Sequence, residues 1–152
     1  MPITGYDDVY LGNPNLKKAN TKLEFTQEQI LEFVACKNDP VYFAKQHVKI
    51  VSLDEGLVPF QPYDFQERLI TNFHENRFNI CKMPRQTGKS TTSVSYLLHY
   101  AVFNDNVNIG ILANKAATAR DLLGRLQTAY ENLPKWMQQG IISWNKGSLE
   151  LE

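Results

Sequence analysis

The chain has 152 residues, of which 43% are hydrophobic and 21% are charged, and its formal net charge is zero. This composition is typical of one globular domain with its own core, and the zero net charge argues against a partner that is bound by bulk electrostatics alone. No apolar run approaches the roughly 18 residues that cross a membrane. Cys36 and Cys81 match no metal-ligand spacing, so we expect reduced, buried thiols in a cytosolic protein.

The chain begins with a predicted arm and a pair of helices. Residues 1–24 carry glycine, proline and lysine, and they are predicted to form an extended amino-terminal arm. Thr26 and Gln29 have the spacing of a capping box, and the amphipathic run that follows them predicts a helix. Asp39 followed by Pro40 predicts the start of a second, short helix.

A helical lead-in is predicted over residues 25–76, and it also contains a hairpin and a third helix. Two apolar runs, VKIVSL and GLVPF, flank the turn residues 54–56, which is the pattern of a β-hairpin. Apolar side chains recur at helical spacing through residues 62–76. The same region holds two glutamines that we interpret below as an adenine-binding motif.

Residues 77–152 have the alternating pattern of an α/β domain. A strand is predicted at residues 77–83, a helix at 90–103 and a second strand at 107–113. A second helix is predicted from a cap at Asn114 to Pro134, and a hairpin on both sides of the turn 145–147. A strand–helix–strand unit implies a parallel sheet with a right-handed crossover. The predicted fold class is therefore α/β, and because the chain stops at Glu152 inside a predicted strand, we expect a truncation.

A candidate phosphate-binding loop, MPRQTGKS, lies at residues 83–90, between a predicted strand and a predicted helix. Its backbone N–H groups and the helix dipole favour an anion, and Gly88 allows the backbone a close approach. Lys89 would neutralise the β- and γ-phosphates of ATP, and Ser90 would supply a hydroxyl to Mg²⁺. The predicted phosphate-binding residues are Arg85, Gln86, Thr87, Gly88, Lys89, Ser90 and Thr91.

The opening of this loop departs from the common pattern, because Met83 stands where the first glycine is usual. Arg85 adds a second positive charge, which is suited to stabilising charge on the γ-phosphate in the transition state. Lys89 and Arg85 are therefore the predicted catalytic residues. The competing interpretation is that Gly88-Lys89-Ser90 only starts a helix and that Arg85 is solvated.

The segment before the loop contains two glutamines, Gln61 and Gln66, among aromatic residues. A glutamine amide can both donate to and accept from the edges of adenine. We interpret Gln61 and Gln66 as adenine-binding, with Gln66 favoured; the competing interpretation is a surface glutamine on an ordinary helix. His47, His74 and His99 have no partners at ligand spacing, so no further metal site is predicted.

An ordered set of segments resembles the amino-terminal ATPase region of the large terminase subunit of T-even-like tailed bacteriophages. The segments are YLGNPNLKKAN, NDPVYFAKQHVKI, PYDFQERLI, MPRQTGKST, NIGILANKAATARDLL and LPKWMQQGIISWNKGSLEL, from Tyr10 to the end of the chain. That family packages viral DNA into preformed capsids. The resemblance implies a partial P-loop NTPase of the ASCE type, with residues 77–152 as an ATPase core.

The resemblance also implies individual roles. Residues 83–90 match the family's deviant Walker A loop, with Lys89 as the Walker lysine and Ser90 on the Mg²⁺ side. Arg85 matches the loop arginine, and Gln61 and Gln66 match the adenine-binding motif. The Walker B strand, with its aspartate and catalytic glutamate, is expected beyond Glu152, so the chain alone is expected not to hydrolyse ATP.

These implications define the expected function. The chain is expected to be the ATP-binding part of a motor that couples ATP hydrolysis to translocation of double-stranded DNA, with ATP and Mg²⁺ as cofactors. The implied partners are viral DNA, a portal protein, a small terminase subunit and further copies in a ring, in the host-cell cytoplasm and without a membrane. The alternatives are a non-catalytic nucleotide-binding fragment and a piece of a superfamily 1 or 2 helicase.

Overall fold

A computed structural model of the chain describes residues 8–52 and 54–152. The described residues form an α/β structure with five α-helices and six short strands. The helices are α1 (Gln27–Asn38), α2 (Pro40–His47), α3 (Asp64–Glu75), α4 (Lys89–Phe103) and α5 (Ala116–Glu131). The strands are β1 (Val9–Tyr10), β2 (Asn13–Lys17), β3 (Lys49–Ser52), β4 (Gly56–Pro59), β5 (Ile141–Trp144) and β6 (Leu149–Leu151). They pair as β1–β2, β3–β4 and β5–β6, each pair antiparallel.

The first two helices begin where their capping residues predict. The Thr26 hydroxyl accepts from the Gln29 N–H at 3.2 Å, and the Gln29 side chain accepts from the Thr26 N–H at 3.0 Å, so the capping box is present. The Asp39 carboxylate accepts from the N–H groups of Val41 and Tyr42 at 2.9 and 3.0 Å. Each of these caps stabilises its helix by about 1 kcal/mol.

Both predicted hairpins are confirmed in their described residues. In the first, Lys49 pairs with Pro59 and Ser52 pairs with Gly56, whose φ of 75° suits a tight turn. Leu53, at the end of the first predicted run, lies outside the described residues, as do residues 1–7 of the predicted arm. The second hairpin, β5–β6, turns at residues 145–148, where the Asn145 side chain accepts two backbone N–H groups.

The hydrophobic core lies around α4, which packs against α2, α3 and α5. Its buried residues come from all five helices, from β2 and β5 and from connecting segments, and the largest fully buried ones include Phe43, Ile70, Leu98, Val102 and Tyr130. At one end of the core the Phe103 ring meets the rings of Phe33 and Phe43 edge-on, with centroids 4.9 and 5.3 Å apart. An ion pair between Lys45 and Glu67, at 2.6 Å, joins α2 to α3 at the surface.

Part of the predicted arm forms the β1–β2 hairpin and is attached to the carboxy-terminal part of the chain. The buried amide of Gln138 accepts from the Lys17 N–H at 3.0 Å and donates to the Asn15 carbonyl at 2.8 Å. Lys18 forms an isolated parallel bridge with Ile141. The two Gln138 bonds join residues that are 121 and 123 positions apart, so they attach the amino-terminal hairpin to a distant part of the chain.

The two strands predicted at residues 77–83 and 107–113 are not formed, and this expectation was wrong. Both segments are irregular, and they expose large apolar side chains, with Phe78 82% and Leu112 91% exposed. Cys81, in the first segment, is exposed for the same reason, so the expectation that both thiols are buried holds only for Cys36. A strand needs a neighbour to pair its backbone groups, and residues 8–52 and 54–152 provide no hydrogen-bonded strand for either segment. The predicted parallel sheet is therefore not present in the described part of the chain.

The start of the last helix also differs from its prediction. We expected Asn114 to cap it, but the N-cap is Lys115, which makes no side-chain capping bond, and the helix begins at Ala116. The helix ends at Glu131, shortly before Pro134, where we expected it to end.

None of the helices that the structure describes is both long enough and apolar enough to span a bilayer.

Candidate phosphate-binding site

The loop at residues 83–88 leads from an exposed irregular segment into the amino terminus of α4. Gln86 (φ 62°) and Gly88 (φ 71°) both have a left-handed backbone, and Gly88 is the N-cap of the helix. This conformation costs a non-glycine residue about 1–2 kcal/mol, so the surrounding loop must hold Gln86 in place. Backbone strain of this kind is concentrated at ligand-binding segments.

The backbone N–H groups of the loop are available to a ligand. The described residues offer no backbone acceptor to the N–H of Gln86, Thr87 or Gly88, and the first-turn N–H groups of a helix have no intrahelical acceptor. The α4 dipole adds partial positive charge at the same end of the helix. Donors and dipole together favour an anion such as a phosphate group.

Lys89 closes the loop upon itself. Its ammonium donates to the Pro84 carbonyl at 3.1 Å, and the Thr87 hydroxyl donates to the same oxygen at 3.1 Å. The Lys89 side chain is exposed, so its charge is in contact with solvent. It can therefore exchange the neutral Pro84 carbonyl for a charged phosphate oxygen, which forms a stronger hydrogen bond with an ammonium.

Gln66 joins α3 to the loop. It is 4% exposed, its Nε2 donates to the Thr87 carbonyl at 3.2 Å, and its Oε1 accepts from the Tyr63 N–H at 2.9 Å. A Cβ added at Gly88 would clash with Gln66 Nε2. Glycine at position 88 therefore allows both the left-handed backbone and this close approach.

The structure places the remaining predicted loop residues on the same turn. Arg85 is exposed, whereas Ser90 and Thr91 are half-buried in the first turn of α4. Sequence reasoning missed Thr92, which is fully buried and donates to the Gly88 carbonyl through both its N–H, at 2.9 Å, and its hydroxyl, at 3.0 Å. Its position four residues after the N-cap is the signal that would have found it.

An aromatic surface lies next to Gln66. The rings of Tyr63 and Phe65 are stacked, with centroids 5.9 Å apart and planes 10° apart, and both side chains are exposed. Gln61 is exposed two residues before Tyr63. Gln61 makes no hydrogen bond within the described residues, whereas the Gln66 amide uses one N–H and one acceptor position in bonds within the protein; the adenine-binding role of either residue stays a prediction.

The described residues line a smaller cleft that includes the start of the loop and a larger cavity that does not. A cleft of about 370 Å³ lies between α3 and residues 81–83, and Met83 at the start of the loop is part of its lining. A larger cavity of about 640 Å³ is lined by residues 104–109, α5 and residues 147–152. None of the predicted site residues lines the larger cavity, so cavity size does not identify the loop as the binding site.

A second polar cluster joins α1 to α2, and sequence reasoning did not find it. The Glu32 carboxylate contacts His47 Nε2 at 2.8 Å, the Cys36 thiol at 3.6 Å and the Tyr42 hydroxyl at 3.0 Å. The hydrogen bond with His47 is the main cause that lowers the pKa of Glu32. Burial, and then the Glu32 charge, raise the pKa of the Cys36 thiol to about 12.

The described structure thus defines an α/β protein with a candidate anion-binding loop at the start of a buried helix. A scan of the chain against protein-family models finds no matching model.

Proposed function

We propose that this chain is the ATP-binding part of a viral DNA-packaging motor of the large-terminase type. The observation that carries the proposal is the loop of residues 83–88, with its left-handed Gly88 N-cap and the Lys89 ammonium 3.1 Å from the Pro84 carbonyl. A strained loop with free backbone donors at a helix amino terminus suits a polyphosphate. The ordered sequence resemblance is the reason for proposing a DNA-packaging motor among ATP-binding proteins.

In this proposal the chain binds the phosphates of ATP through the loop N–H groups and Lys89. Gly88 fits this task, because its backbone is left-handed and lies against Gln66 with no room for a Cβ. Ser90, half-buried in the first turn of α4, would hold Mg²⁺, which neutralises charge on the β- and γ-phosphate oxygens. Arg85, exposed on the loop, would stabilise charge that develops on the γ-phosphate.

Gln66 gives the proposal a route from the nucleotide to the rest of the protein. It bonds the Thr87 carbonyl of the loop and the Tyr63 N–H at the start of α3. A shift of the loop upon phosphate binding would strain one of these bonds unless α3 follows it. We therefore assign Gln66 a second role, coupling between loop and helix, beside the adenine contact that we propose for Gln61 and Gln66.

The proposed partner of the motor is double-stranded DNA, bound through its backbone without sequence preference. Such binding weakens as salt rises, because cations released from DNA drive it. A portal protein, a small terminase subunit and a ring of identical subunits complete the proposed assembly in the host-cell cytoplasm. The sequence resemblance supports these partners.

The binding test compares Mg-ATP affinity in the wild-type chain, Lys89→Ala and the matched control Lys146→Ala. Lys146 is an exposed lysine in the β5–β6 turn. Loss of Lys89 is expected to weaken binding by about tenfold or more, which corresponds to about 1.4 kcal/mol, while Lys146→Ala leaves it unchanged. Equal affinity in wild type and Lys89→Ala would overturn the proposal.

A turnover assay separates the competing functions. Because the chain alone is expected not to hydrolyse ATP, the assay uses a protein that also includes the expected Walker B strand. ATP hydrolysis that is lost in Lys89→Ala and is accompanied by DNA translocation in a packaging assay supports the motor. Binding without turnover favours the non-catalytic nucleotide-binding alternative. Strand separation of a DNA duplex would favour the helicase alternative.

A further inference from the structure

Three potential metal ligands converge on one point between α1 and α2. Glu32 and Cys36 are four residues apart on α1, so they share one face of the helix, and His47 is the last residue of α2. Their ligand atoms all lie within 4.8 Å of one another. The group shares no residue with the phosphate-binding loop or with the predicted adenine-binding motif.

We propose that Glu32, Cys36 and His47 form a binding site for Zn²⁺ that joins α1 to α2. Metal–ligand bonds of about 2.0–2.3 Å place the ligand atoms of a tetrahedral site roughly 3.3–3.8 Å apart. The observed separations are 2.8 Å for Glu32 to His47 and 3.6 Å for Cys36 to Glu32. The third separation, between Cys36 and His47, is no more than 4.8 Å. Side-chain rotations that move the ligand atoms by about 1 Å or less bring all three to the required spacing.

The donor set selects the class of ion. A thiolate, an imidazole and a carboxylate together suit Zn²⁺, whereas Mg²⁺ and Ca²⁺ prefer oxygen ligands throughout. Binding replaces the proton of the Cys36 thiol with the ion, and that proton leaves to solvent. Only an ion that forms a strong bond to sulfur can compensate for removing a proton from a buried thiol, which again favours Zn²⁺ over Mg²⁺.

The surroundings hold two of the ligands in place. The Tyr42 hydroxyl donates to the second oxygen of Glu32 at 3.0 Å, so the first oxygen is left for the ion. The His47 ring packs edge-on against Trp136, with centroids 6.1 Å apart, and lies beside Phe43. These contacts reduce the freedom that the side chains would lose upon binding an ion.

Access to the site comes from the exposed side of the helix pair. Cys36 is fully buried, but the side chains of Glu32 and His47 are 30% and 14% exposed. An ion can therefore reach the three ligands from solvent, and a water molecule can complete a tetrahedral set. The arrangement is that of an exchangeable site with three protein ligands.

The test uses Co²⁺ as a spectroscopic probe, added to the full chain, which contains two cysteines. We expect one Co²⁺ per chain, visible d–d absorption of a tetrahedral site and a near-ultraviolet thiolate-to-Co²⁺ band, all displaced by Zn²⁺. Cys36→Ser is expected to abolish the thiolate band. Cys81→Ser is the matched control, since Cys81 is exposed, and it is expected to leave the band intact.

Two further variants keep the test informative if Cys36→Ser does not fold. His47→Gln is expected to weaken Co²⁺ affinity by at least about tenfold, and Tyr42→Phe by about tenfold through loss of the supporting hydrogen bond. Circular dichroism without metal shows whether each variant folds. A wild-type chain without the thiolate band at one equivalent, or a band that follows Cys81 instead of Cys36, would overturn the proposal. The result does not depend on nucleotide binding, so the two proposals fail separately.

Discussion

Residues 25–76 and residues 77–113 both have regular apolar patterns, but only the first region forms all of its predicted elements. The first region contains α1, α2, α3 and the β3–β4 hairpin, each close to its predicted position. In the second region only α4 is regular, and the segments on either side of it are exposed and irregular. Helices and hairpins satisfy their backbone groups within a short stretch of chain, whereas a parallel strand depends on a partner that is distant in sequence.

The comparison can be sharpened first by truncating one leucine in the core and one in an irregular segment. Leu98 is fully buried in α4, and Leu112 is 91% exposed. We expect Leu98→Ala to lower the free energy of unfolding by about 2–5 kcal/mol and Leu112→Ala to change it by less than about 0.5 kcal/mol. Urea unfolding of both variants measures the difference; similar losses would mean that residues 107–113 are packed in solution.

A glycine replacement tests the loop itself. Gly88→Ala places a side chain on a left-handed residue and against Gln66, so we expect a loss of about 1–2 kcal/mol in stability, from the backbone strain alone. Nucleotide binding should weaken at the same time. The matched control is Gly124→Ala in α5, where a Cβ meets nothing within 4 Å and a gain of about 0.5–1 kcal/mol is expected. Thermal unfolding of the two variants should therefore shift in opposite directions.

A cap removal tests how local the first region is. Asp39→Ala removes the carboxylate that accepts two N–H groups at the start of α2, and we expect a loss of about 1 kcal/mol. Asp105→Ala, at an exposed aspartate beyond α4, is the control and should change stability by less than about 0.5 kcal/mol. Chemical denaturation of both chains gives the two values. If Asp39→Ala is neutral, α2 is held by tertiary packing and not by its cap.

The smallest expected effect is a two-stage dependence of stability on pH. Burial lowers the pKa of His99 below 6.5, with nearby His74 adding to the effect, so the unfolded chain binds the proton more readily and stability falls as pH drops below about 6.5. The pKa of Glu32 is also lowered, mainly by the His47 hydrogen bond, so a further loss is expected below about 4.5.

Two variants separate the stages. His99→Gln keeps a donor for the Cys36 carbonyl, which His99 Nε2 contacts at 2.9 Å, and it should flatten the pH dependence of the unfolding midpoint between neutral pH and pH 5. Glu32→Gln should flatten only the lower stage. A midpoint that falls equally in the His99→Gln chain and the wild type would show that other groups cause the first stage.

The candidate loop shows which features could be predicted from the sequence and which could not. The position of Gly88 before a helix, with Lys89 and Ser90 following, was predictable because an N-cap and a helix start are local features. The bond from Gln66 to Thr87 was not, since it joins residues 21 positions apart. Thr92 lies two residues beyond the loop motif and was missed, although its contact with the Gly88 carbonyl is local, only four positions apart.

The metal-ligand cluster shows the same limit more strongly. Sequence spacing led us to expect no further metal site, since His47 lies 15 residues from Glu32. The packing of α1 against α2 brings the imidazole to the carboxylate and the thiol. A spacing rule therefore does not detect candidate ligands that come from two packed helices.

By itself, the sequence determined the helices, both predicted hairpins and the glycine at the start of α4, because backbone hydrogen bonds and caps in these elements join residues close in the chain. Only the tertiary structure decided that the Gln138 amide joins β2 to the carboxy-terminal part, that Gln66 contacts the loop, and that residues 77–83 and 107–113 remain unpaired in the described chain. These features depend on contacts between residues that are distant in the chain, and a local sequence pattern does not predict the free energy of such contacts.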